Sequence, residues 1–310
     1  MTAAVLIAAV AAVLAPHSVV FVDTEQGAVL RVAELPGEGL AIFAAPDGRA
    51  VVPLRDEDAT EVVGPTGRAE RWPGRVFPLF FADWDRMYAV LPGVLATLSY
   101  PDRLLLERVP LEGVSGARRA ACSDDGRLVA IIPATPGARS LVLVAALGAT
   151  VAQPVSLAAE AAHVVVAPTG AFAAVASGST LAMAVMGEPG ARPGLDVGGE
   201  ILSLCLSPKG RDVIAGLAMG AAGELVGVRV DPKARRPLKE QFRTSLPGPV
   251  VAVSVAGEKV AALSGDSLVV LSGGGLRIGK RVPLPGGRDL AMLPEKVKST
   301  VPAWGDAPKP

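Results

Sequence analysis

The chain has 310 residues, half of them hydrophobic and 19% charged, and its 30 Lys plus Arg balance 30 Asp plus Glu. A net charge of zero leaves no basic excess to neutralise phosphates, which argues against a nucleic-acid binder. Thirty-five glycines and 27 prolines, scattered throughout, argue against long helices and fit many short strands joined by tight turns.

The first element is an apolar run, Ala3 to Ala15, with no Lys or Arg before it. It is too short to cross a bilayer, which takes about 20 residues. A secretory signal is the competing reading, but the small-residue site after Ala15 is followed by Pro16. The run also has a mid-chain counterpart. Ala9–Thr24 (AVAAVLAPHSVVFVDT) matches Ala171–Met186 (AFAAVASGSTLAMAVM) in apolar pattern, with a turn at the same place. We therefore expect a strand, Val5–Leu14, then strands Ser18–Asp23 and Ala28–Leu35. The expected location is cytoplasmic. If Met1–Ala15 were a signal, the chain would be an exported binding domain.

From there on, one pattern recurs: an apolar stretch, a Pro/Asp/Gly-type turn, and a second apolar stretch. The copies are Ala41–Val52, Leu79–Val90, Ala120–Ile131, Val164–Val175, Leu202–Ile214 and Val251–Ala262. Each reads as a two-stranded hairpin. Gly48, Gly126, Gly170, Gly210 and Gly257 are the expected turn glycines, with Asp85 or Arg86 in that place in the second copy.

An apolar residue followed by a Pro/Gly turn sets the same register at Leu35-Pro36-Gly37, Trp72-Pro73-Gly74, Leu111-Glu112-Gly113, Leu246-Pro247-Gly248 and Leu284-Pro285-Gly286. Val197-Gly198-Gly199 is a looser copy, and the copy due near Ala159 lacks its glycine. Gly37 and Gly286 are 249 residues apart, which makes six intervals of about 41. A period of about 40 to 45 with four strands per unit is that of propeller blades. Six units account for residues up to 286. One C-terminal strand, Asp289–Leu293, and the three N-terminal strands remain to make a seventh. The expected fold is all-β: a seven-bladed β-propeller whose last blade is closed by the N-terminus. It occupies residues 1–298 as one domain, with 299–310, including Trp304, as a tail.

The hairpins Ala45-Pro46-Asp47-Gly48-Arg49 and Ser207-Pro208-Lys209-Gly210-Arg211 resemble those of WD40 and YVTN-type propeller repeats. The Trp-Asp and Gly-His dipeptides of WD40 blades are missing, and Trp84-Asp85 falls in a hairpin turn instead. The resemblance implies an architecture, a rigid ring presenting loops on two faces, and no particular family.

Chemistry-bearing motifs are sparse. The two cysteines, Cys122 and Cys205, sit among apolar neighbours without CxxC spacing and read as buried structural thiols. His17 and His163 lack clustered ligands, although His163 opens an inner strand and is expected near the channel mouth. Asp56, Glu57 and Asp58 follow Arg55 without the DxDxDG calcium signature. Lys233, Arg235, Arg236, Lys239 and Arg243 read as an exposed peripheral loop, and Gly273-Gly274-Gly275 as a strand-to-strand turn. No GxSxG elbow occurs. We expect no metal, no cofactor and no catalytic set.

In the usual propeller layout one face carries Arg55, Asp56, Glu57, Asp58, Trp72, Arg75, Arg118, Arg119, His163 and Arg288. A Trp with several Arg is the composition of an interface hot spot. The expected function is a non-catalytic protein-interaction scaffold, a subunit of a bacterial-type multi-protein assembly. Its partners would be one or more proteins, without nucleic acid or membrane insertion. The alternative is a lactonase- or hydrolase-like enzyme with its site at the channel mouth.

Overall fold

The computed structural model describes residues 9–80, 85–146, 151–207, 210–272 and 276–294. The chain begins with β1 (Val10–Ala15), β2 (Ser18–Asp23) and β3 (Ala28–Glu34). The first blade is β4 (Phe43–Ala44), β5 (Ala50–Pro53), β6 (Ala59–Val63) and β7 (Glu70–Pro73). The second is β8 (Pro78–Phe80), β9 (Arg86–Leu91), β10 (Val94–Ser99) and β11 (Leu105–Pro110). The third is β12 (Ala117–Cys122), β13 (Leu128–Pro133), β14 (Ser140–Ala145) and β15 (Val151–Ser156). The fourth is β16 (His163–Val166), β17 (Ala173–Ser177), β18 (Thr180–Ala184) and β19 (Arg192–Asp196). The fifth is β20 (Glu200–Leu206), β21 (Asp212–Met219), β22 (Ala222–Val230) and β23 (Leu238–Leu246). The sixth is β24 (Val250–Ala256), β25 (Lys259–Ser264), β26 (Ser267–Ser272) and β27 (Arg277–Pro283), and β28 (Asp289–Met292) completes the chain.

These strands form seven four-stranded antiparallel sheets, a seven-bladed β-propeller. The seventh has the order β28-β1-β2-β3, so the C-terminal strand lies innermost and β1 second. Ala11 pairs with Met292 on one side and Val22 on the other. The expected strand Val5–Leu14 thus runs Val10–Ala15 in the described residues, and residues 5–8 lie outside them. The match between Ala9–Thr24 and Ala171–Met186 is structural. Both are the middle hairpin of a blade, and Phe21 and Met183 occupy equivalent, fully buried places in β2 and β18.

Each of the six expected hairpins is the inner pair of a blade. Gly48, Gly126, Gly170, Gly210 and Gly257 have φ between 56° and 80°. Gly210 is the most constrained: a Cβ there would lie 2.3 Å from Pro168 Cδ of the preceding blade, in a conformation that disfavours side chains anyway. Short polar side chains close the same turns. Asp47 Oδ1 accepts from the Arg49 N–H at 3.1 Å, and Ser123 Oγ from the Leu128 N–H at 3.0 Å.

The core lies between blades. Seven apolar clusters among the described residues fill the seven boundaries of the ring. Middle strands are therefore buried on both faces. In β1, Val10, Ala12 and Leu14 face the first blade, while Ala11 and Val13 face the sixth. Outer strands have one edge free, and bulges at Leu30, Leu106, Gln241 and Gly279 distort it. Such distortion discourages edge-to-edge pairing with another chain.

The basic stretch is not one loop. Lys239 and Arg243 belong to the outer strand β23, where Arg243 pairs with Glu224 at 2.5 Å and Glu240 at 2.8 Å. Amphipathic alternation on an outer strand looks like a charged loop when burial on one face is unknown. Lys209, Trp84, Gly273 to Gly275 and Trp304 fall outside the described residues.

Candidate functional site

One end of the ring carries the connections between blades and the turns that join the two middle strands of each blade. The expected site residues all derive from these segments. In the first blade, the turn Arg55–Asp58 is tied to the connection that follows β7. The Arg75 N–H donates to Asp58 Oδ1 at 2.9 Å, and its guanidinium to the Arg55 carbonyl at 2.6 Å. Thr60, fully buried, locks the pair from beneath: its hydroxyl donates to the Gly74 carbonyl and accepts from the Val76 N–H, both at 2.9 Å.

Glu38, which composition and spacing did not single out, joins this patch to the seventh blade. It pairs with Arg55 at 3.4 Å and also with Arg288. Arg71, also missed, bonds Glu57 and lies 3.7 Å from Glu61. Burial pushes the Glu61 carboxyl up, with the Arg71 charge opposing it. Arg55, Glu57, Asp58, Arg75 and Arg288 therefore form one connected surface network, with Asp56 exposed on the same turn. Arg118 stands elsewhere on this end, paired with Glu160 across the third and fourth blades.

Trp72 does not join this surface. Only 1% of it is exposed, in the core between the first and second blades. Its Nε1–H donates to Glu70 at 2.9 Å, and the Arg103 guanidinium lies 5.1 Å from its ring centroid. An indole ahead of a Pro-Gly turn looks surface-bound in sequence, but here the strand register turns it inward. The exposed apolar side chains on this end are different ones: Phe77 (41% exposed), Leu91, Met219 and Val251. Phe77 is braced edge-to-face by Phe43, with centroids 6.3 Å apart.

Arg119 and His163 belong to a second feature, the mouth of the central channel. Inner strands β12, β20 and β24 carry bulges at Arg118, Leu202 and Val251. The next paired residues are Arg119, Ser203 and Ala252, while His163 and Asp289 are the first paired residues of β16 and β28. All five line an open pocket of about 170 Å³. Burial, with the Arg119 charge second, pushes His163 down to about 4. Burial raises the Asp289 carboxyl, opposed by N–H bonds from Leu290 and Ile42 and by Arg119. Ser203 and Asp289 were not recognisable in sequence, because one residue per blade carries no local spacing.

Cys122 and Cys205 are half-buried free thiols. Among the described residues, no group of three or more His, Cys, Asp and Glu is arranged to hold a metal ion. Among the described residues no helix is long and apolar enough to cross a membrane.

No known family matches the sequence, and no curated protein does either. Solved structures do match. A functionally unknown protein from Desulfotomaculum acetoxidans superposes with a TM-score of 0.70 at 14% identity, over 92% of this chain and 98% of the other. A protein assigned provisionally as a 6-phosphogluconolactonase, from Bacteroides fragilis, gives 0.67 at 11% identity, over 94% and 100%. A chain of the mitotic checkpoint complex gives 0.63 at 10% identity, over 82% and 83%. The fold is that of WD40 and YVTN-like propellers. At these identities the likeness shows the fold alone.

Proposed function

We propose that this chain is a non-catalytic scaffold that docks a protein partner on the end of the ring carrying Arg55, Asp58, Arg75, Phe77 and Arg288. The observation that carries this reading is Phe77, 41% exposed and braced by Phe43, two residues from an Arg75 held by three hydrogen bonds. Phe, Met and Arg are enriched at protein interfaces, and pre-ordered side chains lose little freedom on docking. Blades whose middle strands are buried on both faces make a rigid base for such loops. The likeness to a chain of a multi-subunit checkpoint assembly supports the same reading.

The test is affinity purification from native lysate, with the intact chain beside an Arg75→Glu, Phe77→Ala variant. A stoichiometric partner should accompany the intact chain and be lost from the variant. Recovery of no stoichiometric partner by the intact chain would sink the reading.

A hydrolytic site at the channel mouth has less support, despite the likeness to a provisional lactonase. The Ser203 hydroxyl donates to the Val250 carbonyl at 3.2 Å, so its proton is engaged with backbone rather than with a base.

A further inference from the structure

The channel mouth is a built site with an unused cation. Arg119 makes no hydrogen bond or ion pair with any described residue, yet its charge is felt by both His163 and Asp289. The Asp289 carboxylate is held in place from two sides: Oδ2 accepts from the Ile42 N–H of the first blade at 3.1 Å, and Oδ1 from its own chain at Leu290 at 2.9 Å. Each oxygen keeps a further lone pair for a ligand. Between them sit His163, which burial keeps uncharged at neutral pH, and the oxygen of Ser203. Inner strands β12, β16, β20, β24 and β28 stand at the end of their sheets, so their free backbone edge faces this channel.

The pocket therefore presents one positive and one negative group, with neutral polar groups between them. Its volume of about 170 Å³ is that of about six liquid waters, well below a drug-sized site. We propose that it binds a small zwitterion, an amino acid whose carboxylate meets Arg119 and whose ammonium meets Asp289. A plain carboxylate would leave Asp289 facing a second anion in a site of reduced solvent access. A plain amine would do the same to Arg119. Only a ligand with both charges satisfies both groups. The other lining residues, among them Val164, Leu202, Leu204, Val251 and Val253, are apolar and add no further charge.

Titration calorimetry on the whole chain tests this with alanine and γ-aminobutyrate, each against the acid lacking its amino group, propionate and butyrate. At least one amino acid should bind about tenfold or more tighter than its counterpart. Arg119→Gln should weaken that binding about tenfold or more. Asp289→Asn keeps an oxygen for the Ile42 N–H and should abolish the preference for the amino acid while sparing the fold, checked by melting. The proposal is overturned if no probe binds at millimolar concentration, if each amino acid and its counterpart bind equally, or if Arg119→Gln binds like the parent.

Discussion

The Tyr100 hydroxyl donates to Asp47 Oδ2 at 2.7 Å, joining the second blade to the tight turn of the first. The same carboxylate oxygen lies 2.7 Å from Arg49 Nε, and Arg49 reaches Glu70 at 2.7 Å. Glu70 in turn accepts from the buried indole of Trp72. Burial pushes the Tyr100 phenol up, with Asp47 adding to it, so it stays protonated and remains a donor. Tyr100→Phe keeps the ring against Phe80 and Trp72 but removes the donor. We expect a loss of about 1–2 kcal/mol in urea denaturation, the usual cost of a bond to a charged group in a half-buried place. An unchanged midpoint would mean that this inter-blade contact is inert.

The N-terminal strand gives a sharper contrast. Ala12 is fully buried between Phe21 and Ala291, whereas Val29 on the outer strand is 48% exposed. Ala12→Asp should abolish cooperative unfolding, because an unpaired carboxylate there costs more than about 4 kcal/mol. Val29→Asp should change stability by less than about 0.5 kcal/mol. Removing everything before Pro16 should behave like Ala12→Asp. A truncated chain with the parent's melting curve refutes the role given to β1.

On the docking face, stability and binding should separate. Glu38→Gln releases Arg55 and Arg288 from a solvent-exposed pair, and such pairs contribute about 0–1 kcal/mol. Its melting point should scarcely move. Phe77→Ala should instead weaken the partner by about 1–3 kcal/mol, measured as a faster dissociation rate. Equal effects of both variants on stability and on binding would remove Phe77 from the interface.

Acid sensitivity should report His163. Its value falls from the ordinary 6.5 to about 4 on folding, so between those limits the unfolded chain binds more protons. Stability from this group is present above the ordinary value and is lost as pH drops toward the folded one. Asp289, raised by burial, has the opposite slope. Comparing the parent with His163→Gln cancels the carboxylates. The parent should lose about 1–3 kcal/mol relative to the variant between about pH 7 and pH 4. A flat difference would show that the imidazole titrates normally.

Burial pushes the Cys122 thiol up to about 12, with Asp124 and Asp125 next in effect, and raises Cys205 as well. Because the thiolate is the reactive form, both should alkylate about tenfold or more slowly in the folded chain than in urea. Equal rates would place the thiols in solvent.

The architecture was legible because it repeats. Turn glycines such as Gly48 and Gly257 recur at blade period, and their positive φ is a local demand that any sequence must meet with much the same residues. The N-terminal run was readable as a strand only through its likeness to Ala171–Met186. A middle strand buried on both faces loses the alternation that marks ordinary strands, which is why it also resembles a signal. On the candidate face, Arg55, Glu57, Asp58, Arg75 and Arg288 were visible as polar turn residues. Phe77 and Leu91 were not, because nothing local distinguishes an exposed apolar residue from a core one.

The amino-acid order by itself determined the number of blades, their register and the joining of the two chain ends in one sheet, since hairpin turns and strand lengths are local properties. Only the tertiary structure decided that Trp72 turns inward, that Glu38 ties two blades together, and that Arg119 and Asp289 share one pocket. Closing a ring brings one residue from each blade to a common axis, and that meeting depends on the circumference rather than on any spacing along the chain.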